Sequence, residues 1–173
     1  MKDCLDWWWK CVGRHFCDFR TRARRREFWC FVFVDALLFA VAWIADIAVG
    51  TSFDFARFET FGLGWITTLF AAVMAVPFCA AAFRRMHDTG RSGGKFVTVC
   101  VLLAAVSTFA VFVPVQAFLA RKVMLSALLY FVSGVFIVML ITLQTVRFCR
   151  NSQPGFNRYG LNPKGDKRPY EWM

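Results

Sequence analysis

The chain has 173 residues, of which 58% are hydrophobic and 21 are Phe, and its formal net charge is +10. Soluble domains carry about 45–50% apolar residues, and a core of this size cannot bury so much Phe, Val, Leu and Ala. The composition therefore excludes an ordinary soluble domain. It favours a polytopic membrane protein, in which long apolar segments alternate with short basic clusters.

The N-terminal segment predicts a short amphipathic helix over residues 3–20. One face of that helix collects Leu5, Trp8, Trp9, Val12, Phe16 and Phe19. Such a helix suits the membrane interface, where indole rings lie at headgroup depth; a docking face for a partner protein is the alternative. Because no apolar run precedes a small-residue cleavage site, no cleavable signal peptide is expected.

Four apolar segments are long enough to cross a bilayer as helices, which requires about 20 residues each. They cover residues 28–49, 63–82, 96–119 and 123–146. The predicted fold is therefore all-α, with four transmembrane helices in a bundle behind an N-terminal interfacial amphipathic helix. Pro114 is expected to kink the third span.

Lys and Arg residues outside the spans are distributed unequally. Eight precede the first span, four lie in residues 83–95 and six follow residue 146, whereas the connections 50–62 and 120–122 hold one and two. By the positive-inside rule, both termini and the 83–95 loop face the cytoplasm. An even number of spans agrees with this topology.

The seven cysteines are scattered and include no CxxC pair. This pattern indicates neither a disulfide framework nor a zinc site, and small apolar fillers are the simplest interpretation. We expect no metal and no cofactor.

Three polar segments carry the most specific signal: TRARRREFW at 21–29, RRMHDTGRSGG at 84–94 and NSQPGFNRYGLNPKG at 151–165. Their order around the apolar spans resembles the DUF805 family of small bacterial inner-membrane proteins. Thr21, Met86 and Leu161 depart from the Gly, Leu and Pro that are usual in that family. The resemblance covers about residues 5–165 and implies a bacterial inner membrane, but it implies no biochemical activity.

The same resemblance and the spans predict one membrane domain over residues 1–165. Within it, residues 83–95 form a cytoplasmic loop and residues 147–165 form a folded-back cytoplasmic segment. A mobile tail is expected over residues 166–173.

The basic segments predict an anion-binding surface, with lipid phosphate as the leading ligand. Gly90, Gly93 and Gly94 allow a tight turn, and the helix that follows offers free N–H groups to an anion. Each basic residue near an anionic membrane contributes about 1 kcal/mol. The candidate anion-binding residues are Arg24, Arg25, Arg84, Arg85, Arg91, Ser92, Lys95 and Arg158. Alternatively, these charges only fix the topology. The spacing of the glycines does not fit a nucleotide P-loop.

A second set of residues is predicted to form a structural polar network: Glu27, His87, Asp88, Arg158 and Tyr159. We expect Arg158 to pair with Asp88 or Glu27 and Tyr159 to pack at the interface; a disordered tail is the alternative. His87 is interpreted as a loop fastener and not as a catalytic base, because adjacent residues on a helix do not face each other. No catalytic residue is assigned.

Two acidic residues fall inside the first span. A charge at mid-span costs at least about 2.5–3.5 kcal/mol, so Asp35 is expected to face the bundle interior, where it reaches Arg84 or Arg85 or stays protonated. Asp46, near the outer end, is expected to be hydrated.

Three functions remain open from the sequence. The favoured one is a non-enzymatic membrane protein that binds anionic lipid or a protein partner, with self-association also compatible. A small membrane enzyme would act on a phosphorylated or lipid-linked substrate through His87, Asp88, Arg91 and Arg158, and a transporter subunit would use Asp35. Nucleic acid is not expected as a partner, because the positive charge follows the membrane boundary and no nucleic-acid motif accompanies it.

Overall fold

The computed structural model describes residues 2–55, 58–119 and 121–163, so the predicted mobile tail lies outside the described residues. The helices are α1 Lys2–Gly13, α2 Arg25–Val49, α3 Trp65–Asp88, α4 Gly94–Leu119 and α5 Val123–Cys149. Strands β1 Ser52–Phe55 and β2 Phe58–Gly64 form an antiparallel hairpin between α2 and α3.

The helical class of the fold is confirmed, and the hairpin is an addition to the all-α prediction. In β1, Phe53 and Phe55 alternate with the polar residues Ser52 and Asp54. This period-two pattern of aromatic residues is typical of strands. The hydropathy pattern alone predicts only a connection between spans for this segment.

In the part of the chain that the structure describes, three helices, α2, α3 and α5, are long and apolar enough to cross a membrane. Helix α4 has 26 residues and is apolar over Gly94–Ala110. Large apolar side chains point outward along these helices; for example, Leu69 is 68% exposed and Phe131 is 70% exposed. An outer surface of this kind fits contact with lipid chains.

The helices pack as two pairs, α2 with α3 and α4 with α5, and contacts between the pairs are few. The pairs meet around an aromatic cluster in which Phe148 lies 4.4 Å from Phe28 and 6.0 Å from Phe96, between ring centroids. This cluster lies at the end of the bundle that carries residues 22–27, 84–95 and 147–162, which we call the polar end. The hydrophobic core therefore supports the same end that carries the polar motifs.

Helix α1 lies against α2 and ends at Gly13, well before the predicted residue 20. Its predicted apolar face is divided. Trp8 and Val12 pack on the core, whereas Leu5 and Trp9 are 55% and 70% exposed. One half of the face therefore fastens α1 to the bundle, and the other half faces outward.

A disulfide joins Cys4 of α1 to Cys30 of α2, whose Cα atoms are 4.9 Å apart. The expectation that the cysteines are only apolar fillers is therefore wrong for this pair. The packing of α1 on α2 brings the two residues together, and a separation of 26 positions gives no local sign of it.

The turn between α3 and α4 depends on glycine at two positions. Gly90 has a φ of 73°, in the left-handed region that favours glycine. A Cβ atom on Gly93 would lie 2.1 Å from Cδ1 of Phe83. The turn is therefore closed tightly against α3.

Replacing Gly93 by Ala is expected to destabilise the protein by about 1–3 kcal/mol, because the Phe83 ring must move out of a packed position. The melting temperature in a mild detergent would measure this. Gly94→Ala is the matched control, since a Cβ there would lie 3.9 Å from its nearest neighbour, Ser92 Oγ. Equal losses from the two variants would contradict the steric argument.

Candidate functional site

Asp88, at the end of α3, is fully buried and connects the three polar segments. Its carboxylate pairs with Arg22, with Nη2 and Oδ1 3.2 Å apart, and with Arg85 one helical turn earlier. Ser152 donates to the same carboxylate from Oγ at 2.5 Å. The backbone N–H of Gln153 donates to the Asp88 carbonyl at 2.8 Å. One carboxylate thus holds together residues that are more than 60 positions apart.

Arg22 is the main residue of this site that the sequence analysis does not single out. It is buried and donates to tail carbonyls, from Nη1 to Gly155 and Gly160 at 3.1 Å each and from Nη2 to Gln153 at 2.6 Å. Nothing local distinguishes it from the other arginines of TRARRREFW. Only its position opposite the folded tail does.

Two of the predicted anion-binding arginines donate their hydrogen bonds to backbone carbonyls of the protein. Arg85 is fully buried, and it donates from Nε to the Phe148 carbonyl at 2.9 Å and from Nη2 to the Arg150 carbonyl. Arg25 donates from Nη1 to the Cys149 carbonyl at 3.2 Å. These carbonyls end α5, where a helix lacks its own donors. Arg25 and Arg85 therefore cap α5.

Arg84 forms a second buried ion pair, 2.6 Å from Nη1 to Glu27 Oε1. Its Nη2 lies 3.3 Å from the Sγ of Cys11. Burial raises the pKa of the Cys11 thiol, although the charge of Arg84 opposes that shift, so the thiol stays protonated at neutral pH. Arg84 and Arg24 also line a small cavity of about 230 Å³. Because Glu27 lines that cavity too, its positive charge is partly cancelled.

The C-terminal segment folds back against α3. The Tyr159 ring stacks on the His87 ring with centroids 3.7 Å apart and planes 5° apart. Asn157 donates from Nδ2 to the His87 carbonyl at 3.1 Å. His87, near the end of α3, therefore contacts the tail through its ring and through its backbone carbonyl.

Arg158 does not form the predicted ion pair. Its guanidinium carbon lies 4.6 Å from the centroid of the Tyr159 ring. Asp88 is paired with two other arginines and Glu27 with Arg84. The prediction is wrong because both carboxylates are neutralised by nearer, buried arginines, and Arg158 is left at the surface.

Four of the predicted anion-binding residues line one cavity of about 530 Å³ at the polar end, which we call the head cavity. Its lining consists of Gly90, Arg91, Ser92, Lys95, Gln153, Phe156, Asn157 and Arg158. None of these residues is acidic. Among the described residues, no ion pair involves Arg91, Lys95 or Arg158.

Further positive charges lie close to the head cavity. Partial burial, followed by the charges of Arg150 and Arg147, lowers the pKa of Arg91. A guanidinium nevertheless stays protonated at neutral pH. The cavity therefore collects cations that no carboxylate of the described residues compensates, which is an arrangement suited to an anion.

The opposite end of the bundle contains another buried acid. Asp46 is fully buried and accepts from the N–H groups of Ile66 and Thr67, at 3.0 and 2.7 Å, and from the hydroxyls of Thr67 and Thr51, at 2.5 and 2.6 Å. The two N–H groups open α3, so Asp46 caps that helix from the end of α2. The expectation that Asp46 is hydrated is wrong, because the hairpin returns the chain directly onto it.

Asp35 reaches neither Arg84 nor Arg85, contrary to one of the predicted arrangements. Its carboxyl lies beside the indole of Trp8. Asp35 Oδ1 and Trp8 Nε1 are both buried without completing a hydrogen bond among the described residues. Asp35 is thus an intramembrane acid without the donors that Asp46 has.

The part of the chain that the structure describes contains no cluster of three or more His, Cys, Asp or Glu side chains arranged for a metal ion. His87 is packed against Tyr159 and Asp88 is enclosed by arginines, and neither lines the head cavity. The proposed catalytic group of His87, Asp88, Arg91 and Arg158 therefore does not converge on one cavity.

The known proteins that this chain is similar to are inner membrane proteins. The inner membrane protein YhaI of Escherichia coli K12 is 29% identical over 157 residues, which cover 91% of this chain and 95% of that relative. The inner membrane protein YhaH of the same organism is 35% identical over 88 residues, 51% of this chain and 67% of that relative. No solved structure matches the chain. Residues 16–161, which include Arg22, Asp88 and Arg158, match the family described as "Protein of unknown function (DUF805)". The chain therefore belongs to the DUF805 family.

Proposed function

We propose that the protein crosses a bacterial inner membrane four times and binds the phosphate of anionic lipid headgroups at its polar end, on the cytoplasmic side. The observation that carries this proposal is the head cavity, in which Arg91, Lys95 and Arg158 converge with Ser92 and none of the described lining residues is acidic. In this view the protein is a binding protein and not an enzyme.

The topology is supported by helix lengths and by charge. Helices α2, α3 and α5 suffice for three crossings, and α4 returns the chain so that α5 can run antiparallel to it. The polar end holds most of the Lys and Arg residues outside the spans. Because such residues accumulate on the cytoplasmic side, the polar end is assigned to the cytoplasm.

Phosphate suits the head cavity for three reasons. Guanidinium and ammonium groups form short, charge-assisted hydrogen bonds to phosphate oxygens. Ser92, which also lines the cavity, adds a hydroxyl that can donate to a phosphate oxygen. Finally, its place at the end of apolar helices is the depth at which headgroups occur.

The buried arginines have a different part in this proposal. Arg22 and Arg85 hold the tail and the end of α5 through carbonyl groups, and they shape the wall of the cavity without facing it. A preformed wall lowers the entropy cost of binding, since its residues are already ordered. We therefore restrict the proposed ligand-binding residues to Arg91, Ser92, Lys95 and Arg158.

The experiment is native mass spectrometry of protein gently extracted from its membrane, comparing the natural chain with Arg91→Ala and Arg158→Ala. We expect a phosphorus-containing lipid adduct whose retention falls about tenfold in each variant, because a hydrogen bond to a charged group contributes about 1.5–3 kcal/mol.

Arg26→Ala is the matched control, since Arg26 lies at the same end and is 70% exposed but does not line the head cavity. It removes the same charge and should keep the adduct. Equal retention by all four proteins would refute the site, and the search would turn to protein partners.

A further inference from the structure

We propose that the ligand is a whole anionic phospholipid, held at two points: its phosphate in the head cavity and one acyl chain in a groove between α4 and α5. This inference rests on the proposed function and adds the lipid chain to it. The α4–α5 groove has a volume of about 230 Å³ and is lined by Lys95, Thr98, Val99, Leu102, Leu140, Leu143 and Arg147.

The head cavity and the groove are neighbours that share Lys95, which lines both of them. From Lys95, the residues Val99 and Leu102 follow at spacings of four and three along α4 and lie on one helix face. At 1.5 Å per residue, this stripe extends about 10 Å from Lys95 toward the apolar interior.

Helix α5 presents a matching stripe in the opposite chain direction. Arg147 lies at its polar end, and Leu143 and Leu140 follow at spacings of four and three going back along the helix. Because α4 and α5 run antiparallel, both stripes place a cation at the polar end and aliphatic side chains deeper. The groove thus has the same polarity as a phospholipid, with charge at one end and hydrocarbon behind it.

The exposure of the groove residues shows that the described part of the chain does not fill it. Leu102 is 46% exposed and Leu143 is 47% exposed, on opposite walls. A free phosphate would neutralise the head cavity and leave this apolar surface without a ligand. A phospholipid places its phosphate in the head cavity and an acyl chain in the groove with one molecule.

The two halves contribute differently to recognition. An acyl chain gains no hydrophobic free energy by moving from bulk lipid to the groove, since both surroundings are apolar. The groove therefore fixes the orientation of the lipid and adds van der Waals packing to the attraction that the cations supply. Blocking the groove should exclude the chain sterically and leave the attraction for a bare headgroup unchanged.

The test uses the full-length protein in detergent with two probes: dioleoyl phosphatidylglycerol, and soluble glycerol 3-phosphate as its headgroup analogue. Leu143→Trp fills the groove. Ile141→Trp is the matched control, because Ile141 is 51% exposed on the same helix and does not line the groove. Lipid binding is measured by native mass spectrometry and binding of the soluble probe by phosphorus NMR.

We expect Leu143→Trp to reduce binding of phosphatidylglycerol at least about tenfold and to leave glycerol 3-phosphate binding unchanged, while Ile141→Trp changes neither. Leu102→Trp fills the same groove from α4 and should reproduce the result, which protects the test against misfolding of one variant.

Unchanged lipid binding in both groove variants would overturn this inference. If these variants instead halve the molecular mass of a dimer, the groove binds a second copy of the chain and the lipid inference is also wrong. Arg91→Ala distinguishes failure of the groove from failure of the phosphate site. If that variant retains both probes, the proposed phosphate site in the head cavity is refuted.

Discussion

Replacing Asp88 by Asn is expected to lower the stability of the protein by about 3–5 kcal/mol, because it leaves two buried arginines without a counter-charge. Both partners, Arg22 and Arg85, have side chains that are at most 2% exposed. Water cannot solvate them without opening the site. The melting temperature in a mild detergent should fall sharply, and residues 151–163 should lose protection in hydrogen exchange as the tail detaches.

Asp3→Asn is the control for this prediction, since it removes the same charge from an ion pair of similar length. Asp3 and Arg26 are 3.0 Å apart, but their side chains are about 70% exposed. Exposed pairs contribute about 0–1 kcal/mol, so little change is expected. If both variants lowered the melting temperature equally, burial would not be the source of the effect.

The apolar spans could be predicted closely from the sequence, and the errors lie mostly at the polar end. Predicted span 63–82 corresponds to α3, which continues to Asp88. Hydropathy ends a span where charges begin. The helix continues there because Arg84, Arg85 and Asp88 are buried in ion pairs, which a hydropathy profile does not detect.

The candidate site was predictable in composition and only partly in arrangement. Arg91, Ser92 and Lys95 lie within five residues of each other, so their joint position in the head cavity follows from local sequence. Arg22 is buried and Arg158 is exposed for reasons that depend on contacts more than 60 positions away. A count of charges treats all arginines alike, and only the fold decides which ones have a carboxylate within reach.

The environment of each acidic residue also depends on contacts that only the fold creates. Glu27, Asp46 and Asp88 are all buried, and each accepts hydrogen bonds from donors that another element brings to it. For Asp46, the β1–β2 hairpin brings those donors, and that hairpin was the element the sequence analysis did not predict. The error about Asp46 and the missing hairpin therefore have one cause.

Asp46→Ala is expected to cost at least about 2 kcal/mol. The loss of a helix N-cap costs about 0.5–2 kcal/mol, and each buried donor left without an acceptor adds about 1–3 kcal/mol. Ile66 and Thr67 would lose the acceptor for their N–H groups at the start of α3. The expected signs are a lower melting temperature and faster hydrogen exchange at these two amides.

Asp35→Ala is the matched comparison, because the same residue type lies eleven positions earlier on the same helix. Its Oδ1 is buried without a hydrogen-bond partner among the described residues, and an acid inside a span costs about 2.5–3.5 kcal/mol on insertion scales. Its removal should leave the melting temperature unchanged or raise it. If both variants destabilised the protein equally, Asp35 would have a stabilising contact comparable to the cap, and the distinction between the two acids would be wrong. If the two effects have opposite signs, the hydrogen-bond donors around an intramembrane carboxylate, and not its depth alone, decide whether it supports the fold.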